Sequence, residues 1–596
     1  MTAGRVFAWI LAGAILITCV VAGWVGVRGT MAYQHLVRVQ TEAGESTSAL
    51  ASDPAGAIPA IGRLSMEASE ARRLTSDPIW RAAEQIPWIG PQLITLSTVS
   101  ASADKLLGGA LLPLATAAKD VSLDALRPVD GRIDASPLAQ LAEPAREAET
   151  QAREAANDVG AIDRTPLVGV ASAAVERTGS LLDQSAAAID ALARTAHLLP
   201  QMVGQGEQRN YLLLVQNNAE WRSLGGITGT AVLLHIDDGA VSLIETQSAG
   251  AIVRDLREPV MTLPPEVVDI YGTRPGRYFH NLTQIPDFTI DGPLAREMYR
   301  IKTGLNVDGV IAVDPVVLSY VLEATGPVTL PDGEQLTAGN AAALLMNEVY
   351  FRYPDPSAQD AFFAAATGAV FQALLEGRGS APSLISALYR AGQQHRLLVW
   401  SADAADQALL ADTTIAGPLP VTDERTARFG VFLNDGTGSK MSYYVKPDVS
   451  VTWESCGTSA ADGPRSLTLD LTLTNVAPPD AATTLPTYIT GEGAYGTAPG
   501  TAKVVGNIYV PEGYEVVSSV SSDGTTMTGG TLEGRRVLTF GTDLTPRAST
   551  SLTVEVRSLT TAREAEAYVT PTADPTLSPI VRASCEGPRP GSATLR

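Results

Sequence analysis

The residues best equipped for chemistry lie between Arg209 and Thr230, in RNYLLLVQNNAEWRSLGGITGT. Two amides (Asn217, Asn218), a carboxylate (Glu220) and a guanidinium (Arg222) surround Trp221 there, followed by Gly225 and Gly226. Ahead of them, Tyr211 to Val215 is an apolar run too short for a helix and suited to a strand covered on both faces. A buried strand that delivers polar side chains into a Gly-rich turn is how α/β proteins place a site at a sheet edge. The same residue types also serve structure, because Asn bonds readily to its own backbone and caps turns. The stretch therefore reads as a candidate catalytic loop at the end of a buried strand, with turn capping as the competing role of its amides.

Further candidates stand elsewhere in the same region. RYFHNLTQIPDF mixes aromatic and polar residues around Asn281 and Asp287, as sites for sugars or lipid head groups do. NEVYFRYPD adds Arg352, whose planar fork suits bidentate contact with phosphate. Structural ion pairing is the competing role for each. Asn281-Leu282-Thr283 is also a formal glycosylation sequon.

Familiar catalytic machinery is missing from the sequence: there is no Walker A loop, HExxH or CxxC. GEGAYG, Gly491 to Gly496, formally matches GxGxxG, but it sits between strands and opens no helix, so it reads as a loop. With five histidines and three cysteines, none at metal-ligand spacing, a zinc site has little support. A net charge of −21, from 64 acidic and 43 basic residues, argues against nucleic acid as a partner.

The elements that must position these residues follow in order. Val6 to Val27 carries no charge and is long enough to cross a hydrocarbon core as a helix, with Trp9 and Trp24 near its ends. A cleaved signal peptide is the alternative, but its apolar part would be shorter. Residues 1–28 are thus expected to be a transmembrane anchor. Residues 29–203 are Ala-rich with helical spacing and read as a helical bundle or stalk. Helices are expected from Pro137, capped by Ser136, and over Ser172 to Leu199, with Leu181, Ile189 and Leu192 on the apolar face. Trp80 and Trp88 read as packing anchors.

Residues 204–440 alternate strands and helices, as in a layered α/β domain. A hairpin is expected around Asp237-Asp238-Gly239, a strand over Val307 to Asp314, a helix from Pro315, and a return to the sheet over Gly326 to Leu330. Helices follow over Ala338 to Tyr350 and Ser357 to Leu375. Residues 441–587 alternate Thr, Val and Ser with apolar positions, as in an antiparallel β-sandwich. Cys456 and Cys585 flank that region, so a disulfide is expected between its ends, which favours an extracytoplasmic body. Residues 588–596 read as a disordered tail.

The central motif resembles the signature of family 4012 among the domains of unknown function, found in membrane-anchored envelope proteins of high-GC Gram-positive bacteria. The resemblance extends to DPIWRAAEQIPWIG, to FHNLTQIPDF and to GVFLNDGTGSKMSYYVKPDVSVTWESC, and so to most of the chain. More distantly, the order of the hairpin and VDGVIAVDPVVLSYVLEATGPVTLPDGEQLTAGNAAALLMNEVYFRY is similar to the LytR-CpsA-Psr domain. That resemblance implies transfer of glycopolymers from a polyprenyl pyrophosphate carrier to peptidoglycan, with magnesium. The family's Arg-x-Asp-Thr element falls on Ile227-Thr228-Gly229-Thr230, where Thr230 alone survives. Its Arg-rich segment falls on YFRYPDPSAQDAFFAAATGAV, which keeps Arg352. Losing the acidic ligand and most of the cationic clamp removes the stabilisation that phosphoryl transfer depends on.

The expected protein is therefore multi-domain α+β, single-pass, with its body outside the cytoplasm. Its expected role is to bind or help assemble a lipid-linked or wall glycopolymer through Asn217, Asn218, Glu220, Arg222, Thr230, Asn281, Asp287 and Arg352. An active transferase with a divergent site, using Mg2+, and a sensor or scaffold working through the helical stalk are the alternatives. No other cofactor is expected.

Overall fold

The computed structural model describes residues 3–52, 54–456, 465–558, 560 and 562–585. They form two compact units: one holds the chain up to Ala125 together with Asp134–Met202, the other holds Leu126–Ile133 and the chain from Val203 onward.

The first unit is helical. Its elements are α1 (Ala3–Ser52), α2 (Pro54–Leu74), α3 (Pro78–Ala83), α4 (Gly90–Asp104), a π-helical stretch Lys105–Leu111, α5 (Leu112–Ala118), α6 (Ser136–Ala139), α7 (Ala142–Gly160) and α8 (Gly169–Met202). Among the described residues, one helix is long and apolar enough to cross a membrane, over Leu11–Glu42 of α1. Small residues set the packing. In α7, Ala145, Ala148, Ala152 and Ala155 are buried at helical spacing and face Ile189 and Leu182 of α8, which lets the backbones approach closely. Leu181, expected on that apolar face, is exposed and Leu182 occupies it instead. The single helix expected from Pro137 is broken between α6 and α7. Pro144 explains the break, because its ring clashes with the carbonyl four residues earlier, at Gln140. Ser136 is not the cap; its own N–H is held by Asp134 at 2.9 Å. Trp80 is fully buried, as an anchor should be, whereas Trp88 is 90% exposed.

The second unit begins with the chain's fourteen-residue strand β1 (Arg209–Arg222), followed by β2 (Gly225–Asp237) and β3 (Ala240–Ser248). β2 and β3 form the expected hairpin, with Asp238 and Gly239 both at positive φ, as a two-residue turn of this hand requires. β4 (Gly309–Val313) lies parallel to β1, which explains the apolar run at Tyr211–Val215: Leu212 and Leu214 are fully buried, while Leu213 and Val215 are only half-buried on the other face. β7 (Leu398–Ser401) closes a five-stranded mixed sheet of order β3-β2-β1-β4-β7. The return expected at Gly326 to Leu330 does not join that sheet: β5 (Val328–Thr329) pairs only with β6 (Gln335–Leu336). Helix Pro315–Thr325 starts where expected, with Asp314 accepting from the N–H groups of Val316 and Val317. The helix expected over Ser357–Leu375 spans Pro356–Leu375.

The remaining strands make two further sheets. β9 (Val445–Ser455), β10 (Arg465–Asn475), β12 (Glu515–Ser521) and β15 (Ser549–Ser558) form an antiparallel sheet ordered β12-β15-β10-β9. β8 (Thr426–Asp435), β11 (Ala502–Tyr509), β13 (Thr531–Leu532), β14 (Arg535–Leu544), β16 (Glu564–Val569) and β17 (Ile580–Ser584) form the other, ordered β13-β14-β11-β8-β16-β17. β8, which the sequence reading assigned to the α/β part, thus belongs to a C-terminal sheet. Its alternating Phe429, Val431 and Leu433 share one apolar cluster with Leu467, Leu469 and Leu471 of β10 and with Trp221 at the end of β1. The burial of Trp221 in that cluster joins the α/β and all-β parts of this unit. Cys456 and Cys585 are disulfide-bonded, tying residues 129 apart with their Cα atoms 5.5 Å apart. The tail expected over 588–596 lies outside the described residues.

Candidate functional site

The end of β1 is where the chain departs from regular pairing. Its register against β2 shifts between Val215 and Gln216 and again between Asn217 and Trp221, so the polar stretch forms an irregular bulge rather than the turn after the strand. Gly226 makes the bulge possible. A Cβ there would sit 2.2 Å from the carbonyl carbon of Asn217. Gln216 fixes the bulge by accepting from the Gly226 N–H at 3.0 Å.

The bulge sends its side chains in two directions. Asn217 and Asn218 turn inward. Asn217 donates to the Tyr350 hydroxyl at 2.6 Å, and Asn218 donates to Asp314 at 3.0 Å and to the Pro571 carbonyl at 2.8 Å. Arg396, fully buried, completes that knot with an ion pair to Asp314 at 2.5 Å. Glu220 and Arg222 instead line a cavity of about 880 Å³, together with Asn281, His280, Tyr278, Asp435, Lys440, Tyr488, Glu492 and Tyr495. This cavity lies wholly within the second unit, between the end of β1, the segment 278–284, the turn after β8 and the segment 487–495.

Glu220 is the hub. It accepts from Arg222 at 3.0 Å through one oxygen and pairs with Lys440 through the other. Arg222 also donates to Asn281 Oδ1, at 3.0 and 3.2 Å, and to the Trp221 carbonyl at 2.7 Å. Burial opposes ionisation of Glu220, but Lys440 and Arg222 outweigh it and hold the carboxyl below its ordinary range. Lys440 is held charged despite its burial, mainly by Glu220. Asp435 is pushed up to about 6 by burial and by the Glu220 charge, although the Thr437 and Gly438 N–H groups bond to it. Burial, then Arg222, keeps the His280 imidazole below its ordinary range and so neutral at neutral pH. Tyr488 stacks on Tyr350 with ring centroids 5.1 Å apart, and the Lys440 ammonium lies 5.6 Å from the Tyr488 ring centre.

Of the eight residues singled out from sequence, the cavity gathers Glu220, Arg222 and Asn281. Asn217 and Asn218 lie behind it. Thr230 is buried in β2 opposite Val215 and Ser248. Asp287 caps helix Phe288–Thr303, accepting from the Thr289 N–H at 2.9 Å. Arg352 is taken by Glu334 and by Glu348 at 2.8 Å, outside the cavity. Asn281 is buried against Arg222, which removes it as a glycosylation acceptor. Sequence reasoning missed Asp435, Lys440, Tyr488 and Tyr495. NDGTGSK, at the end of β8 and in the turn after it, holds Asp435 and Lys440, and GEGAYG, a short 3-10 turn and loop bordering the cavity, holds Tyr495, whereas no local motif marks Tyr488.

Residues 206–350 match the model of a family described as a protein of unknown function (DUF4012). The chain carries a DUF4012 domain. No curated protein matches it. The DUF4012 segment supplies Glu220, Arg222 and Asn281, whereas Asp435, Lys440, Tyr488 and Tyr495 come from beyond it. The magnesium that a LytR-CpsA-Psr likeness would imply does not fit these residues. Both oxygens of Glu220 are occupied by cationic side chains, and Ile227-Thr228-Gly229-Thr230 offers no carboxylate.

Proposed function

We propose that this is a membrane-anchored, extracytoplasmic cell-envelope protein whose cavity holds the uncharged sugar portion of a lipid-linked or wall glycopolymer. In this reading the α/β part is LytR-CpsA-Psr-like, the two C-terminal sheets form a β-sandwich behind it, and no transfer takes place. Helix α1 supports the anchor, and the Cys456–Cys585 disulfide supports an oxidising compartment. One observation carries the ligand class. Within the cavity lining, the three cations Arg222, Arg274 and Lys440 are matched by the three carboxylates Glu220, Asp435 and Glu492. A site so balanced has no surplus field for a pyrophosphate. Asn281 and Asn507, whose amide oxygens accept from Arg222 and Thr539, turn their N–H donors to ligand hydroxyl groups, and the exposed rings of Tyr488 and Tyr495 offer apolar faces to sugar C–H groups.

Asp435 favours a second reading. A carboxyl held near 6 beside Arg222 and Lys440 is suited to act as the base of a divergent transferase. Titration calorimetry of the full chain in lipid nanodiscs separates the two, using soluble wall oligosaccharides and then polyprenyl pyrophosphate glycolipid with and without Mg2+. The expected result is oligosaccharide binding that Mg2+ does not change, with no product released. Turnover would install the transferase reading, and no binding of either compound would remove both.

A further inference from the structure

The segment Gln85-Ile86-Pro87-Trp88-Ile89-Gly90, between α3 and α4, contains no charged residue. Its three large apolar side chains point into solvent: Trp88 is 90% exposed, and Ile86 and Ile89 are 46% and 55% exposed. Trp88 also takes a φ of 69°, a left-handed conformation that a bulky side chain adopts at a cost. A strained turn that presents a tryptophan outward calls for a partner.

The helical unit itself says where that turn lies. α1 and α2 run antiparallel, and the Arg28 guanidinium locks them by donating to the Leu74 carbonyl at 2.8 Å and the Arg73 carbonyl at 2.7 Å and by pairing with Asp77 at 3.0 Å. α4 runs in the same direction as α1, because Leu96 packs beside Gly29 and Ala32 while Leu107, farther along the chain, packs beside Val39. Gly90 therefore lies less than two turns before Leu96, about 9 Å towards the apolar end of α1 at 1.5 Å per residue. The same distance along α1 from Gly29 reaches the neighbourhood of Trp24. Trp24 is itself exposed, with the Arg28 guanidinium 5.1 Å from its ring centre, the pairing of a residue at the edge of a bilayer.

We infer that the turn Ile86–Ile89 is a second membrane contact, in which Ile86, Trp88 and Ile89 enter the interfacial layer of the bilayer beside the outer end of the α1 span. The inference rests on the reading of α1 as a membrane anchor. Continuity between the turn and the apolar end of α1 selects lipid as the occupant rather than a soluble partner. Two contacts at one level fix how the helical unit is rotated about α1, which a single helix leaves free.

The test uses the full chain in phosphatidylcholine–phosphatidylglycerol vesicles. Cys19 is the one free cysteine among the described residues, so a nitroxide attached there reports on the anchor. A second label goes to Trp88→Cys, and separately to Ile89→Cys with Trp88 retained, each in a Cys19→Ala background. Collision rates with oxygen and with a water-soluble nickel chelate are then compared with those of a label at exposed Tyr389→Cys. The oxygen-to-nickel ratio at 88 and 89 is expected to exceed that at 389 by about threefold or more, as for an interfacial side chain. A lipid-like ratio at Cys19 with a water-like ratio at 88 and 89 overturns the inference and leaves the anchor standing. Shielding of 88 and 89 from both reagents means that protein covers the turn, and also overturns it. A water-like ratio at Cys19 overturns the anchor reading and this inference with it.

Discussion

The two halves of the bulge at the end of β1 each take part in a buried carboxylate–cation cluster and do different work. Asn218 is joined to Asp314 and Arg396 in a knot with no access to solvent, and Asp314 also holds the first N–H groups of helix Pro315–Thr325. Glu220, two residues on, is joined to Arg222 and Lys440 at the wall of a cavity. Asp314 and Glu220 are both buried carboxylates with cationic partners. The difference is that the Asn218–Asp314–Arg396 knot is sealed inside the fold and lines no part of the cavity, whereas the Glu220 set stands at its open wall. Burial and pairing alone therefore do not mark a functional site; the vacancy beside them does.

Substitutions can break or sharpen that contrast. The largest effect is expected at the inner knot: Asp314→Ala strands Arg396 without a counter-charge and should cost about 3–5 kcal/mol in denaturant unfolding, as breaking a buried pair does. Its effect on oligosaccharide affinity should be no larger than its effect on the folded fraction. If Asp314→Ala abolishes binding in the remaining folded protein, the division between the two halves is wrong. Lys440→Met should be milder for the fold, about 1.5–3 kcal/mol, because Arg222 still holds Glu220. It should nevertheless weaken oligosaccharide binding by about tenfold, since Glu220 then loses one of the two partners that fix it, and Arg222 with it, at the cavity wall.

Tyr495→Ala should reverse the pattern, with stability changed by less than about 0.5 kcal/mol, as for an exposed side chain, but calorimetric affinity lowered about tenfold. The smallest effect concerns pH. Asp435 titrates near 6 in the folded chain and near its lower ordinary value when unfolded, so the folded state binds the extra proton. Its contribution to stability is present at low pH and is lost as pH rises through about 6. Asp287 and Asp291 are raised by burial as well, so the total slope is shared. Asp435→Asn should therefore reduce the fall in unfolding free energy between pH 4.5 and 7.5 without removing it. An unchanged or steeper fall would refute the assignment.

Much of the architecture was legible because it is written locally. Asp-Asp-Gly specified the β2–β3 turn, Asp314-Pro315 specified a helix start, and alternating Leu in SLTLDLTLTNV specified β10 and the face it buries. Failures were also local in origin: Pro144 broke a helix that composition favoured, and β8 had the right pattern for a strand but no label for which sheet it would join. The site was only partly legible. Glu220, Arg222 and Asn281 stood out as charges and amides among apolar residues, but Asp287 and Arg352 stood out equally and are a helix cap and a surface ion pair.

The sequence by itself determined an uncharged apolar stretch at the N-terminus, a cysteine pair at the ends of a strand-rich region, and a polar insertion at the end of a buried strand. These follow from hydrophobicity and short-range geometry, which neighbouring residues decide. Only the tertiary structure decided that Lys440 meets Glu220 across 220 positions of sequence, and that Asn218 meets Pro571 across 353. No local preference encodes such pairings; they arise when β8 enters the second sheet and carries its following turn to the end of β1. That packing event turned a bulge full of polar side chains into one half structural knot and one half cavity wall.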